Sequence, residues 1–403
     1  MLINVYAEKE EEMFPKRFNR AAFTLLCSVS LLLICVPAPT LAQRYTVQEL
    51  GTLGGYNYGV GISANVKVGG YSYTAPGYGG VAHAFLWEDG EMIDLGTLGG
   101  ANSYGNDVNS AGQVVGFSNN AQGRHRAFLW EDGEMTDLGT LGGLRSWGTA
   151  INEAGLVVGS AELPNGYRHA VIWHPDGPED LGTFGGPWSE ANAISENGDA
   201  AGWAEYLGGY RSAFLYTNDE MIDLGTLDGS SCAFGINEAN QVTGYYASGG
   251  ITRAFLWDDG EMIDLGDVPG WNHDIKAWDI NNHGQIVGMP AFLWEDGAMQ
   301  RLTDLLPEGH GWYLISATSI NDEGYITGYG TNPDGVAQVA FLLTPIIEGD
   351  LNGDGCVDQA DLGILLADWD CTGGGCAGDI DGDGDVDQAD LGLLLANWGE
   401  GCL

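Results

Sequence analysis

The sequence predicts an all-β fold, a seven-bladed β-propeller closed by its own N-terminal strand, followed by a small all-α domain. Three observations carry that expectation. AFLW or a near relative begins at Ala84, Ala127, Ala170, Ala213, Ala254, Ala291 and Ala340, with the first four copies 43 residues apart and later spacings of 41, 37 and 49. Gly supplies 65 of the 403 residues and recurs at fixed places in the repeat, which marks turns and not low complexity. After residue 347 the repeat stops, and an acidic segment with helical periodicity replaces it. A repeat of this length is one supersecondary unit that cannot bury its apolar surface alone, so copies must pack on one another.

Residues 1–42 read as an address. Lys16, Arg17 and Arg20 lead into an uncharged apolar run through Leu31-Leu32-Leu33-Ile34, which Thr40-Leu41-Ala42 ends with small residues. That order of basic, apolar and small is a secretory signal peptide. It predicts a secreted or cell-surface protein whose mature chain starts near Gln43. Thr24, Ser28 and Ser30 interrupt the run, so no stable membrane span is expected after cleavage. Glu8, Glu10, Glu11 and Glu12 fit a basic leader poorly, which makes Met13 a second candidate start beside Met1.

The whole chain carries a formal net charge of −42. Residues 1–42 hold four acidic and four basic side chains, so the exported part keeps all of it, with 52 acidic against 10 basic residues. Such a surface repels nucleic acid and anionic lipid. Roughly 360 residues are enough for more than one domain, here 43–347 and 348–403. Cys356, Cys371, Cys376 and Cys402 cluster in the second of these, which in an exported chain suggests two disulfides with three possible pairings. Cys232 stands apart and reads as a small buried thiol.

Each repeat reads as four antiparallel strands. Around Tyr104–Val108 a first strand leads to Asn109-Ser110-Ala111-Gly112 and then to Gln113–Phe117. Asn folds its side chain onto the backbone of a turn and Gly supplies positive φ, so N-x-x-G joins two strands. The turn recurs at Asn152, Asn281 and Asn321. Ala127–Trp130 forms the third strand and Glu134–Leu138 the fourth, with Asp132-Gly133 between them as a type I′ hairpin signal. Both alternating faces of AFLW are apolar, as in a sheet covered on both sides. Tyr45–Gly51 matches a fourth strand lacking its first three, and Ala340–Leu343 a third strand lacking its fourth. Pairing them completes the seventh blade and removes two free edges. An open stack of sheets is the alternative.

The AFLW…DLGTLGG copies resemble the extracellular repeat family named for its His-Ala-Phe motif. The motif stands intact at His83-Ala84-Phe85, while Arg126, Ser212 and Arg253 replace its His. The resemblance spans about Arg44 to Thr344 and implies an extracellular location without implying an activity. His83 and His169 share one repeat position and are expected to be framework contacts. The repeated Asp94, Asp137, Asp180, Asp223 and Asp264 are expected to close turns. No nucleophile elbow, metal-spaced histidine set or phosphate loop is present. The loops after the LGG turns carry Tyr58, Tyr104, Trp147, Trp188, Phe234, Trp271 and Trp312. These are expected on one rim, covering the seams between blades or presenting rings to a glycan or protein ligand. Trp271-Asn272-His273-Asp274 departs most from the repeat.

The tail carries the most specific chemistry. Residues 348–403 hold 14 acidic side chains and no Lys or Arg. Asp350, Asn352, Asp354, Cys356, Asp358 and Asp361 occupy positions 1, 3, 5, 7, 9 and 12 of one loop, and Asp379, Asp381, Asp383, Asp385, Asp387 and Asp390 those of a second. Gly sits at position 6 and Val at position 8 in both. Calcium takes six to eight hard oxygens, and this spacing wraps them around one ion per loop, position 7 serving through its backbone carbonyl. Two calcium ions are therefore expected. Leu362, Leu365, Leu366 and Trp369, and again Leu391, Leu394, Leu395 and Trp398, recur at i, i+3, i+4 and i+7, predicting two helices that pack stripe to stripe.

A duplicated calcium loop with an exit helix, no entering helix and Asp at position 12 resembles a type I dockerin from Gly349 to about Gly399. That resemblance implies a calcium-ordered plug that docks onto a cohesin-like module of a scaffold protein. It further implies association with polysaccharide-degrading enzymes. Gln359-Ala360 and Gln388-Ala389 stand where such modules often carry hydroxyl residues, and Leu366-Ala367 and Leu395-Ala396 where they carry Lys or Arg. Together the sequence points to a non-catalytic recognition propeller tethered through its tail. The alternatives are a scaffold-bound glycoside hydrolase or lyase, and a calcium-cross-linked structural protein.

Overall fold

The computed structural model describes residues 44–271, 273–352, 356–373 and 375–399, all within Gln43–Leu403, the second of two compact units in the chain. The expected signal peptide, Asp354, Asn272 and Cys402 lie outside the described residues.

The described strands gather into antiparallel groups of four, spanning 57–94, 99–137, 146–182, 185–225, 231–264 and 276–301. A last group combines three strands within 313–345 with Tyr45–Glu49 from the N-terminus. In that group Tyr45 lies opposite Pro345 and Glu49 opposite Phe341, as the unpaired ends of the repeat require. One parallel bridge, Arg168 to Trp188, links the third and fourth groups into a single eight-stranded sheet.

The 99–137 group shows why these residues make this unit. Its strands are Gly99–Val108, Val114–Asn120, His125–Glu131 and Glu134–Asp137. Between the last two, Asp132 and Gly133 take φ of 49° and 87°, the positive pair that a type I′ turn demands. The 185–225 group has no Gly at this turn, and Asn218 and Asp219 hold φ of 52° and 61° instead. Asn and Asp are the side chains that tolerate this region best.

Three of the first strands slip register once near their start, and every first strand slips near its end, as between Gly105 and Asp107 or Gly148 and Ala150. This bulge drives a carbonyl against the second strand, where a Gly stands opposite. A Cβ on Gly116 would lie 1.9 Å from the Tyr104 carbonyl oxygen, so only Gly fits. The space is filled from the other side by the Phe of AFLW, and Phe85, Phe128, Phe214, Phe255, Phe292 and Phe341 are all fully buried. Ala84, Leu86 and Leu95 of one group pack with Val108, Val114 and Phe128 of the next, so the core lies between sheets.

Buried asparagines stitch the groups together. Asn152 Oδ1 accepts the Leu156 amide at 2.9 Å, closing its own N-x-x-G turn, while its Nδ2 donates to the Ser195 carbonyl at 3.1 Å in the next group. Asn109, Asn237 and Asn281 repeat both contacts. Asn321 of the last group donates to the Ser63 carbonyl of the first at 3.1 Å. The run of contacts therefore returns to its beginning.

In the tail, α1 (Gln359–Ala367) and α2 (Gln388–Ala396) start at Asp358 and Asp387, each with a reciprocal capping box to Asp361 and Asp390. Val357, Leu365, Val386 and Leu394 are fully buried, with Leu362, Trp369 and Leu391 against them. The expected stripe is narrower than its spacing suggested. Leu366 and Leu395 are 53% and 54% exposed and Trp398 is also exposed, because two short helices offer each other only one line of contact. Cys371 pairs with Cys376, Cys356 is also disulfide-bonded, and Cys232 is a buried free thiol.

Gly116→Ala should lower stability by about 3 kcal/mol through the clash with Tyr104, measured by urea unfolding. Gly123→Ala, in an open turn, serves as the comparison and should lose only the roughly 1–2 kcal/mol that its positive φ costs a side chain.

Candidate functional site

An antiparallel meander sends its first and third hairpins to one end of each sheet. The second hairpin and the link to the next sheet go to the other end. The two ends of this protein differ accordingly. At the first end the Asp-Gly hairpins and the N-x-x-G turns present carboxylates. Glu153 accepts the Ser110 amide at 3.0 Å, Glu196 accepts the Glu153 amide at 3.0 Å, and Asp322 accepts the Asn282 amide at 2.8 Å. Burial raises the Glu196 pKa, and the charges of Glu153, Glu238 and Asp322 add to it.

A cavity of about 390 Å³ lies between the first strands, lined by Asn106, Thr149, Asn192, Phe234, Trp278 and Thr318. Asp107 and Asp279 line it too. Sequence reasoning missed both, although a signal existed, since Gly61, Ala150, Ala193, Gly235 and Ser319 hold the same repeat position with small side chains. Each carboxylate spans the bulge into the next group. Asp107 accepts the Val108 and Ile151 amides at 2.9 Å, and Asp279 accepts the Ile280 amide at 2.8 Å, the Ile320 amide at 2.9 Å and the Ser319 hydroxyl at 2.7 Å. Both remain partly accessible from the cavity, yet protein surrounds them. That burial pushes Asp107 up to about 7 and Asp279 up to about 6 against the pull of their amide donors. Both carboxylates act as braces between neighbouring groups.

The second end is aromatic. Tyr104 sits within its first strand as its repeat implies, and Tyr58, Trp147, Trp188 and Phe234 also sit within the first strands and not in the preceding loops, a correction that follows from those strands starting earlier than the turn chemistry implied. Their rings cross the seams between groups. Tyr58 meets Tyr329 at 4.9 Å, Tyr71 meets Tyr104 at 5.0 Å, and Phe234 meets Trp278 at 4.9 Å. The Trp147 indole N–H donates to His125 Nδ1 at 3.1 Å. Arg168 lies 5.1 Å from the Trp147 ring and 5.9 Å from that of Trp188, and Arg211 lies 4.0 Å over Trp203. Tyr78, Leu144, Tyr167, Leu207, Tyr210 and Leu227 stand exposed on the turns of the same end. Trp312 is buried against Phe341. Trp271 folds back on its own loop, donating to the Asp274 carbonyl at 3.2 Å, so the most divergent segment is internally braced.

The repeated carboxylates and histidines are framework. Asp94, Asp137, Asp180, Asp223 and Asp264 each accept the amide two residues on, at 2.8–2.9 Å. The same groups hold the residue before AFLW: His83, Arg126, His169, Ser212 and Arg253, in that order. Replacing His by Arg or Ser keeps this contact, so the drift at that position is conservative in physics.

In the tail, carboxylate oxygens of Asp379, Asp381 and Asp383 lie within 4.8 Å of one another, as do those of Asp385, Asp387 and Asp390. Asp385 Oδ1 is shut off from solvent without a hydrogen-bond donor. The Asp383 charge, burial, and the charges of Asp387, Asp390 and Asp381 raise the Asp385 pKa. An orphaned oxygen amid like charges fits a bound cation. Asp361 accepts the Leu351 amide at 2.8 Å, the Asn352 amide at 3.1 Å and the Asp358 amide at 2.8 Å. Asp390 accepts the equivalent Ile380, Asp381 and Asp387 amides. A carboxylate has about four lone-pair sites, so such contacts leave room for a metal bond. Asp350 stands at the start of the first loop, at the chain's exit from the last strand group.

No family model matches the chain, and no curated protein matches it. Among solved structures it is similar to a gluconolactonase from Xanthomonas campestris, with 15% identity, a TM-score of 0.39, and coverage of 76% of this chain and 93% of that one. It is similar to TolB from Acinetobacter baumannii at 11% identity and a TM-score of 0.38, covering 75% and 63%. A puromycin-hydrolysing peptidase from Mycobacterium tuberculosis gives 12% identity and a TM-score of 0.45, covering 77% and 54%. Likenesses this distant carry no argument about activity.

A carboxyl whose folded pKa is raised favours folding while protonated, and that contribution is lost as pH rises through the folded value. Asp107 and Asp279 should therefore cost stability progressively between about pH 4 and 7. Melting temperatures across that range should fall less steeply for Asp107→Asn/Asp279→Asn than for the natural chain, whatever the offset between them.

Proposed function

We propose that the chain is a secreted or cell-surface recognition protein, a seven-bladed β-propeller tethered through a dockerin-like tail that binds two calcium ions. The observation that carries the tail's role is the duplicated twelve-residue loop with its crowded oxygens and the orphaned Asp385 carboxylate. Asp379, Asp381, Asp383, Asp387 and Asp390, with the Asp385 carbonyl, would hold one ion. Asp350, Asn352, Asp354, Asp358 and Asp361, with the Cys356 carbonyl, would hold the other. Bound calcium supplies the positive charge that lets these carboxylates sit together, and Asp358 and Asp387 then start the helices. Leu366 of α1, Leu395 of α2 and Trp398 just beyond α2 are exposed apolar side chains, suited to a cohesin-like or other scaffold partner.

The propeller reading rests on the return of the group-to-group contacts from Asn321 to Ser63 and on the pairing of Tyr45–Glu49 with the last group. The non-catalytic reading rests on the repeated carboxylates being turn braces and on Asp107 and Asp279 being occupied by backbone amides. A polysaccharide hydrolase or lyase is the second reading, favoured by the presence of two carboxylates in one cavity.

Calorimetric titration of the chain from residue 43 should show two calcium ions bound. Asp383→Ala should abolish one, and EDTA should reduce helical signal by circular dichroism. No binding by the natural chain would contradict the tether.

A further inference from the structure

The cavity between the first strands has a chemistry that selects its ligand. Asn106 Nδ2 donates to the Gly148 carbonyl at 2.8 Å and Asn192 Nδ2 to the Ala233 carbonyl at 2.7 Å. Thr149 donates to the Ala191 carbonyl at 2.7 Å and Thr318 to the Gly59 carbonyl at 2.8 Å. The threonine hydroxyl protons are thus spent on neighbouring groups, while each asparagine keeps a second N–H beside carbonyl, hydroxyl and carboxylate acceptors. A ligand there must bring both donors and acceptors, closely spaced. Phe234 and Trp278 form one wall, meeting edge to face at 82°, so an apolar ring face is presented beside the acceptors. A volume of about 390 Å³ falls within the 300–1,000 Å³ common for small-molecule sites and is concave, unlike a protein docking face.

Other residues of the same end repeat that pairing of ring and polar group. Arg168 lies 5.1 Å from the Trp147 ring and 5.9 Å from that of Trp188 while its Nη2 donates to Glu190 at 3.1 Å. Arg211 stacks on Trp203 while its Nε donates to Glu205 at 3.2 Å. These guanidinium–carboxylate pairs are neutral together, and each still presents donors and acceptors beside a flat ring. With a net charge of −42, the protein disfavours any polyanion.

We propose that this end binds an uncharged polysaccharide, with one sugar unit in the cavity against Trp278 and the chain running over Trp147 and Trp188. Sugar hydroxyls, which both donate and accept, take up the remaining Asn106 and Asn192 N–H groups and donate to the Thr149 and Thr318 oxygens, and the C–H faces of the sugars cover the rings. This assignment rests on the recognition reading above and names its ligand class.

The test is calorimetry on the chain from residue 43, in calcium and in EDTA. The probes are hexasaccharides of glucose, xylose, mannose, galactose and N-acetylglucosamine, with polygalacturonate and chitosan as charged comparisons. At least one uncharged hexasaccharide should bind, equally in calcium and EDTA. Trp278→Ala and Trp188→Ala should each weaken binding by about tenfold or more. Trp188 is exposed, so its variant keeps the readout if Trp278→Ala fails to fold. Tighter binding to either charged polymer, loss of binding in EDTA, indifference to both variants, or no uncharged sugar bound would overturn the proposal. Binding accompanied by shorter products would support the ligand class while ending the non-catalytic reading.

Discussion

The architecture depends on the buried asparagine of the N-x-x-G turn. One side chain does two jobs: its Oδ1 closes the turn within a sheet, and its Nδ2 reaches the same turn of the next sheet. Asn281, for example, accepts the Gln285 amide at 3.0 Å and donates to the Asn321 carbonyl at 3.0 Å. Losing it would leave buried backbone groups unpaired in two sheets at once, a cost of about 1–3 kcal/mol for each. Where Ser63 and Ser195 replace Asn, the hydroxyl still accepts the amide that closes the turn, at 2.9 Å from Lys67 and 3.2 Å from Asp199. The reach to the next sheet passes there to the asparagine two residues on, Asn65 donating to the Ser110 carbonyl at 2.9 Å and Asn197 to the Glu238 carbonyl at 3.3 Å. Local turn chemistry and long-range assembly are therefore coupled through one side chain in most copies and through two in these.

That coupling fixes which residues face which way. Because the first and third hairpins share one end of each sheet, the acidic residues that favour such turns collect there. The opposite end is left to the residues beside the bulge, where Tyr58, Tyr104 and Trp147 stand. Bulge, glycine and aromatic side chain are parts of one local arrangement. The carbonyl that excludes a side chain at Gly116 belongs to Tyr104, the residue whose ring stacks on Phe117 at 4.9 Å. A sheet built this way separates a charged end from an aromatic one without any dedicated signal.

Much of this was legible in the sequence. The four-strand reading of each repeat, the type I′ turns, the pairing of Tyr45–Glu49 with the last group and the framework role of His83 and Asp94 all followed from spacing and turn chemistry. What escaped it depended on three dimensions. The first-strand position of Tyr58 and Trp147 was hidden because glycine-rich segments read as loops until a neighbouring sheet supplies their hydrogen bonds. Asp107 and Asp279 were hidden because they break a pattern of small residues, and such an exception carries meaning only once the position is known to line a cavity. Leu366 and Leu395 shared a helical period with the core, yet the period cannot say how wide the facing surface is. The tail's oxygen spacing was legible because twelve consecutive residues contain the whole arrangement.

The central claim is that the two ends of the chemistry are separate, cation binding in the tail and ligand recognition at the aromatic end of the sheets. Differential hydrogen exchange on the exported chain, with calcium and then with a bound uncharged hexasaccharide, tests it most directly. The account predicts that calcium slows exchange in 350–361 and 379–396, and that the sugar slows it in the first strands around Asn106, Thr149, Asn192 and Trp278. Sugar-dependent protection confined to the tail, or calcium-dependent protection confined to those first strands, would contradict it.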